Sequence, residues 1–183
     1  TILSFRANHW ASGGSLNARD FHAVNILLHS INSGLVSVLA YAMSRSNLIG
    51  GTAGVLFAVH PVHVEAVTSI VGRADLLCAM CMLLAILVFR RAMIEQDARY
   101  LCASWLCIVS VFWVGALCKE VAVTLPALLV SIDISSLIVK RGESGLRRRV
   151  LRVVANCTMC ALMFASYVCF RRFISDGSHT LEG

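Results

Sequence analysis

The sequence predicts an all-α, polytopic transmembrane bundle of about six membrane segments. Three observations predict it. Hydrophobic residues make up 58% of the chain and charged residues only 14%, against roughly 25% charged in a soluble domain. The apolar residues gather in stretches approaching the roughly 20 residues needed to cross a hydrocarbon core about 30 Å thick. The basic residues cluster in short connectors between those stretches. A soluble all-helical core would need polar faces for water, and runs this apolar leave none.

Residues 1–20 are comparatively polar, and Ser12-Gly13-Gly14-Ser15 breaks any helix there, so they read as an extramembrane loop. The membrane segments follow at about 22–43, 48–71, 74–93, 100–118, 121–139 and 150–170. The second is the irregular one. Its apolar part, Leu48–Val59, would be only about 18 Å long as a helix. Carried through His60-Pro61-Val62-His63-Val64-Glu65 to Val71 it would reach about 36 Å. It therefore either crosses, emerging around His60, or is re-entrant. Residues 171–183 begin a further extramembrane loop. The start lacks an initiator Met, a basic leader and a cleavage site, and the chain reads as a fragment of a longer protein. It contains no heptads, no low-complexity tract and no repeat of about 34 residues.

The net charge of +6 reflects membrane topology rather than nucleic-acid binding. Basic residues favour cytoplasmic loops, which places Arg90, Arg91 and Arg99 in the cytosol. The same rule applies to Lys140, Arg141, Arg147, Arg148, Arg149 and Arg152. The stretch 60–73, the turn at Cys118–Val121 and the tail after Phe170 then face the opposite side, however the short segment runs. All eight cysteines lie in or beside apolar segments. Cys78/Cys81 and Cys157/Cys160 have zinc-like spacing but no partner His, so they read as small packing residues.

Polar groups at a membrane boundary are costly and mark function. The largest cluster is His60-Pro61-Val62-His63-Val64-Glu65, followed by Arg73-Ala74-Asp75. Pro61 ends one helix or starts another. Three readings stay open: a metal site of His60, His63 and a carboxylate, a polar wall of a membrane-embedded active site, and structural caps. The spacing is not the HExxH of zinc proteases. Lys119-Glu120 form a second cluster in a short turn. They are either a solvated hairpin tip, or Lys119 meets an anionic phosphate while Glu120 orients it or pairs with Arg73.

In the first segment Asn25, His29 and Asn32 recur on one helical face, with His22 one turn above. Interhelix hydrogen bonding is the default reading, and a substrate cavity the alternative. Asp133, inside the fifth segment, is close enough to Lys140 or Arg141 to pair after a helix bend, and a proton-relay role lacks a second buried acid. Asn156-Cys157-Thr158 is a formal glycosylation sequon that falls within a span and should be unused.

The stretch FAVHPVHVEAVTSIVGRADLLCAM, residues 57–80, resembles the signature of the transmembrane and tetratricopeptide-repeat-containing proteins. LSFRANHWASGG followed by FHAVNILLH, ALCKEVAVTLPALLVSID and RRFISDG are similar to the same family, in collinear order from residue 1 to 177. The resemblance implies an endoplasmic-reticulum, multi-pass membrane protein of the GT-C glycosyltransferase type, here its amino-terminal membrane domain in part. It implies carboxy-terminal lumenal repeats and O-mannosylation of Ser/Thr on cadherin-type domains, with dolichyl-phosphate mannose as donor. The family topology has the short segment crossing.

A dolichyl donor keeps its tail in lipid and its phosphate-sugar at the lumenal surface. Inverting transfer needs a carboxylate to deprotonate the acceptor hydroxyl and cations for the departing phosphate. On that reading Arg73 and Lys119 bind the donor phosphate. Glu65, Asp75 and Glu120 are the available carboxylates, expected to support a base lying upstream of Thr1. His60 and His63 orient the sugar or hold an ion, and a divalent metal is left open. A transporter and a non-catalytic scaffold anchoring lumenal repeats are the rival readings.

Overall fold

The computed structural model of the chain describes residues 1–11, 13, 18–95, 98–139 and 146–179. Among them every regular element is helical. They form two compact units, Thr1–Ala122 and Val123–Gly183.

The first unit opens with a helix, α1 (Ile2–Ala11), where a loop was expected. A ten-residue helix is marginal by itself, so tertiary contacts must hold it. Phe5 packs against Phe21 with ring centroids 6.0 Å apart, and Asn8, one turn on, is buried. Ile2, Leu3 and Trp10 of the same helix are exposed. Of the expected helix breaker Ser12–Ser15, only Gly13 lies among the described residues, at φ +65°.

Helix α2 (Ala18–Ser44) ends at Arg45, which takes the left-handed conformation at φ 58° while its N–H meets Tyr41 O at 2.7 Å. Ser46 then caps α3 (Asn47–Val59), accepting from Ile49 N–H. The two helices run antiparallel with very close backbones. A Cβ on Gly50 would stand 3.0 Å from Ser37 O, and one on Gly54 would stand 2.8 Å from Ser37 Cβ. Small residues four apart bring membrane helices together in this way, because apolar lipid supplies no hydrophobic drive between them. The outer face of α3 shows Leu48, Val55, Leu56 and Val59 to the surroundings.

A 3-10 turn at Pro61–His63 and the short α4 (Val64–Thr68) follow at a 49° bend. Helix α5 (Arg73–Ala92) then packs beside α2 and forms an antiparallel hairpin with α6 (Ala98–Cys118). Phe89 meets Trp105 edge-on at 5.9 Å towards one end of this hairpin. In its middle, Cys81 Cβ lies 3.2 Å from where a Cβ on Gly115 would be. At the end remote from Lys119, Arg90 donates to Ala42 O at 3.1 Å, satisfying a terminal carbonyl of α2.

In the second unit α7 (Leu125–Val139) packs against α8 (Leu146–His179). Leu129, Cys160 and Met163 are buried. So are Asp133 and Asn156, whose Nδ2 donates to Asp133 Oδ2 at 2.8 Å. The carboxylate's observed partner is thus an amide on the facing helix. Lys140 and Arg141, the candidate partners, lie outside the described residues. Helix α8 continues past Phe170 to His179, into the residues expected to begin a loop.

Among the described residues four helical stretches are long and apolar enough to cross a membrane: Ala18–Ser44, Arg99–Cys118, Glu120–Ile138 and Arg147–Ser175. The bent pair Asn47–Val59 and Pro61–Thr68 makes a fifth if it counts as one span. The remaining expected segment is α5, whose 20 residues carry Arg73, Asp75, Arg90 and Arg91 at their ends.

A candidate site at one end of the α5–α6 hairpin

The helix break is written into Pro61. Without an N–H, Pro61 cannot bond Phe57 O, which instead accepts from His60 N–H at 3.5 Å. The next N–H, of Val62, goes to His60 Nδ1 at 3.2 Å. Ala58 O, freed of its usual intrahelical partner, accepts from His29 Nε2–H at 3.0 Å. These bonds fix both tautomers: His60 carries its lone pair on Nδ1, and His29 its proton on Nε2. His29 Nδ1 is buried with no hydrogen-bond partner.

His63 sits against Phe57, ring centroids 4.2 Å apart, with His29 at 5.2 Å and His60 at 5.9 Å. The imidazoles therefore pack as rings. Among the described residues no group of three His, Cys, Asp or Glu side chains converges in a way that could hold a metal ion. The open metal reading of His60, His63 and a carboxylate finds no such geometry. All eight cysteines are free thiols.

The polar stripe on α2 serves the break. Asn25 Nδ2 donates to Val67 O at 3.3 Å and Ser69 O at 2.9 Å. Asn32 Nδ2 donates to Leu76 O at 2.9 Å. Asn25, His29 and Asn32 thus each bond a backbone carbonyl of the break or of its neighbouring helices, as the interhelix reading requires. Gly72 closes the turn: a Cβ there would lie 2.4 Å from Ala66 O and 2.6 Å from Ala66 Cα, so only glycine fits.

Arg73 follows and is completely buried. Its Nε donates to Asn25 Oδ1 at 3.0 Å, Nη2 to Phe21 O at 2.9 Å, and Nη1 to Ser4 O at 3.4 Å. The Phe5 ring centroid is 4.7 Å from Cζ, and that of Phe21 is 5.4 Å away. None of the described carboxylates pairs with it. Charge-assisted hydrogen bonds of this kind contribute roughly 1.5–3 kcal/mol each, and the two aromatic faces add to them. Glu120, a possible partner on sequence grounds, is exposed on the turn after α6 and does not meet Arg73.

Lys119 and Asp75 do come together, as an ion pair across the mouth of the α5–α6 hairpin. Lys119 N–H bonds Gly115 O at 2.8 Å, and the Cys78 thiol lies 4.0 Å from Lys119 O. The two charged side chains remain 40% and 44% exposed. A pair this open to solvent stabilises a fold by about 0–1 kcal/mol. Its charges are therefore exchangeable with those of a ligand. Of the two phosphate candidates, only Lys119 reaches the surface.

One end of the first unit therefore gathers His60, His63, Arg73, Asp75 and Lys119, with Glu65 exposed on α4. Sequence reasoning missed Ser4, Phe5 and Phe21 as the cradle of Arg73. Nothing local marks them, because their role is defined by a residue about fifty to seventy positions away.

No family model and no solved structure matches the chain. Curated proteins do. Protein O-mannosyl-transferase Tmtc2 of Drosophila melanogaster is 38% identical over 186 residues, covering 98% of this chain and 18% of that protein. Protein O-mannosyl-transferase Tmtc1 of Drosophila melanogaster is 40% identical over 123 residues, covering 67% of this chain and 14% of its own length. Protein O-mannosyl-transferase TMTC4 of Homo sapiens is 39% identical over 153 residues, covering 73% and 20% respectively. The chain spans a fifth or less of the length of these relatives. With an all-helical bundle carrying several membrane-crossing helices, and this identity along nearly its whole length, the chain belongs to the family of the transmembrane and tetratricopeptide-repeat-containing proteins.

Proposed function

We propose that the protein containing this chain is a dolichyl-phosphate-mannose–protein mannosyltransferase of the endoplasmic-reticulum membrane. It moves mannose to Ser/Thr hydroxyls of secretory-pathway proteins, cadherin-type domains among them. The relatives' names support the sugar and the transfer. The single observation carrying the site is the half-exposed Asp75–Lys119 ion pair at the end of two apolar helices, on the same side as the His60–His63 break.

A lipid-linked phosphate fits this place by its chemistry. Its polyprenyl tail requires hydrocarbon, and its charged head requires the boundary. The exposed apolar faces of α3 and α6 offer the first, and Lys119 the second. As the glycosidic bond breaks, negative charge accumulates on the departing phosphate, and an ammonium already aimed at an anion stabilises it. Asp75 holds Lys119 in place before the donor arrives. Glu65 and Glu120 are the exposed carboxylates of this end and orient the acceptor or the sugar hydroxyls. The imidazoles of His60 and His63 line the break as ring surfaces and hydrogen-bonding groups for the sugar.

Expression of the full-length protein in knockout cells tests this reading. O-mannose on cadherin domains is measured by mass spectrometry for wild type, Lys119→Ala and Glu65→Gln. Lys119→Ala should reduce occupancy at least tenfold, and Glu65→Gln should reduce it measurably. If neither changes occupancy, the site assignment is wrong. If the knockout itself leaves occupancy normal, the enzyme reading fails and a scaffold that anchors lumenal repeats replaces it.

A further inference from the structure

Arg73 differs from every other cation in the described chain. It is the only charged residue among the largest fully buried side chains apart from Asp133. Placing an unpaired guanidinium where water is excluded is costly, and an apolar side chain would fill the same space without that cost. What the guanidinium provides instead is direction. Its donors point to three backbone or side-chain oxygens on two different helices, Ser4 on α1 and Phe21 and Asn25 on α2. Asn25 relays the hold to Val67 and Ser69 in the break. One side chain thereby ties α1, α2 and the break to the first turn of α5.

That same turn carries Asp75, the partner of Lys119. Asp75 is half-exposed and its carboxylate meets no other partner among the described residues, so its placement follows the placement of the α5 backbone. We propose that Arg73 is a positioning residue that does not touch the donor. Its buried contacts with Ser4, Phe21 and Asn25 set Asp75, and through Asp75 aim Lys119 at the donor phosphate. This rests on the phosphate role of Lys119 proposed above. It also changes the role the sequence suggested for Arg73, from ligand to framework.

The distinguishing measurement is a double-substitution cycle in the full-length enzyme, assayed with dolichyl-phosphate mannose and a cadherin-domain acceptor. Arg73→Met should raise the KM for the donor about tenfold while kcat changes less than threefold. Lys119→Met should raise the donor KM by at least as much. In the Lys119→Met background, Arg73→Met should add less than twofold, because its effect is transmitted through Lys119. Multiplying effects overturn the proposal, since a phosphate ligand or a general packing residue would act independently of Lys119. An unchanged donor KM in Lys119→Met alone sinks the underlying phosphate reading instead. Phe5→Leu guards against loss of folding in Arg73→Met, since it keeps all three hydrogen-bond acceptors and removes one aromatic face. It should raise the donor KM two- to fivefold, with the same insensitivity in the Lys119→Met background. A well-folded Phe5→Leu enzyme with wild-type donor KM would also overturn the proposal.

Discussion

The Nε–H of Arg73 meets Oδ1 of Asn25 at 3.0 Å, with both residues fully buried. Each side chain completes the other. Asn25 turns its amide nitrogen to two carbonyls of the break and leaves its oxygen for the guanidinium. Every polar atom of Asn25 is thereby used, which explains how an amide can sit at zero exposure within an apolar helix.

Asn25→Leu should consequently be among the most destabilising single changes in the first unit. It removes three hydrogen bonds and leaves a buried charged donor unsatisfied, a loss of about 1–3 kcal/mol or more for that group alone. Thermal unfolding of the detergent-solubilised full-length protein checks this. A melting temperature within a degree of wild type would contradict it.

Glycines in the same region should respond in opposite ways. Gly72→Ala forces a Cβ to within 2.4 Å of Ala66 O and 2.6 Å of Ala66 Cα, so the turn before Arg73 must move. Expression and melting temperature should both fall. Gly51→Ala meets nothing within 4 Å and should be neutral or stabilising by about 0.5–1 kcal/mol, the usual gain from replacing a helical glycine. Equal behaviour of the two variants would rule out the close approach seen here.

The Asp133–Asn156 pair should behave as a coupled unit. Asn156→Leu leaves a buried carboxylate without its donor, and Asp133→Leu leaves a buried amide without its acceptor. The double change Asp133→Leu/Asn156→Leu should destabilise less than the sum of the two single changes. The coupling should be about 0.6–1.7 kcal/mol, as for interhelical hydrogen bonds in membranes. Because the Asn156 amide is buried and engaged, Asn156→Gln should produce no loss of N-glycan mass, measured by glycosidase digestion and gel shift. A glycan on Asn156 would place this part of α8 outside the bilayer.

The break and the turn after α6 should face the same compartment. Val62 and Val121 are both exposed. Val62→Cys and Val121→Cys, each in a cysteine-depleted background, should react with a membrane-impermeant maleimide added from one and the same side. Labelling from opposite sides would separate the His60–His63 stretch from Lys119 and remove the candidate site.

Much of this was legible in the residues alone. Apolar runs fix membrane helices because hydrocarbon accepts no unsatisfied backbone, so α2, α6, α7 and the centre of α8 are readable from composition and length. Pro61 announces the break through its missing N–H. Asn25, His29 and Asn32, polar and on one face of an apolar helix, announce that something across from them needs donors. The family motifs, similarly, lie in contiguous sequence.

What the sequence could not decide was the identity of partners distant along the chain. Residues 2–11 read as a loop because a short helix is held by tertiary contact and not by its own propensity. Arg73 was a phosphate candidate beside Lys119, and nothing in the local sequence says that it is fully buried. Its three acceptors, two of them ordinary backbone carbonyls, carry no sequence signature. Asp133 accepts from an amide 23 residues away on another helix, a partner no local pattern marks. Local composition determines which stretches enter the membrane, because solvation acts residue by residue. Only packing decides which buried polar groups meet, because hydrogen bonds require two groups within about 3 Å, wherever the chain has carried them.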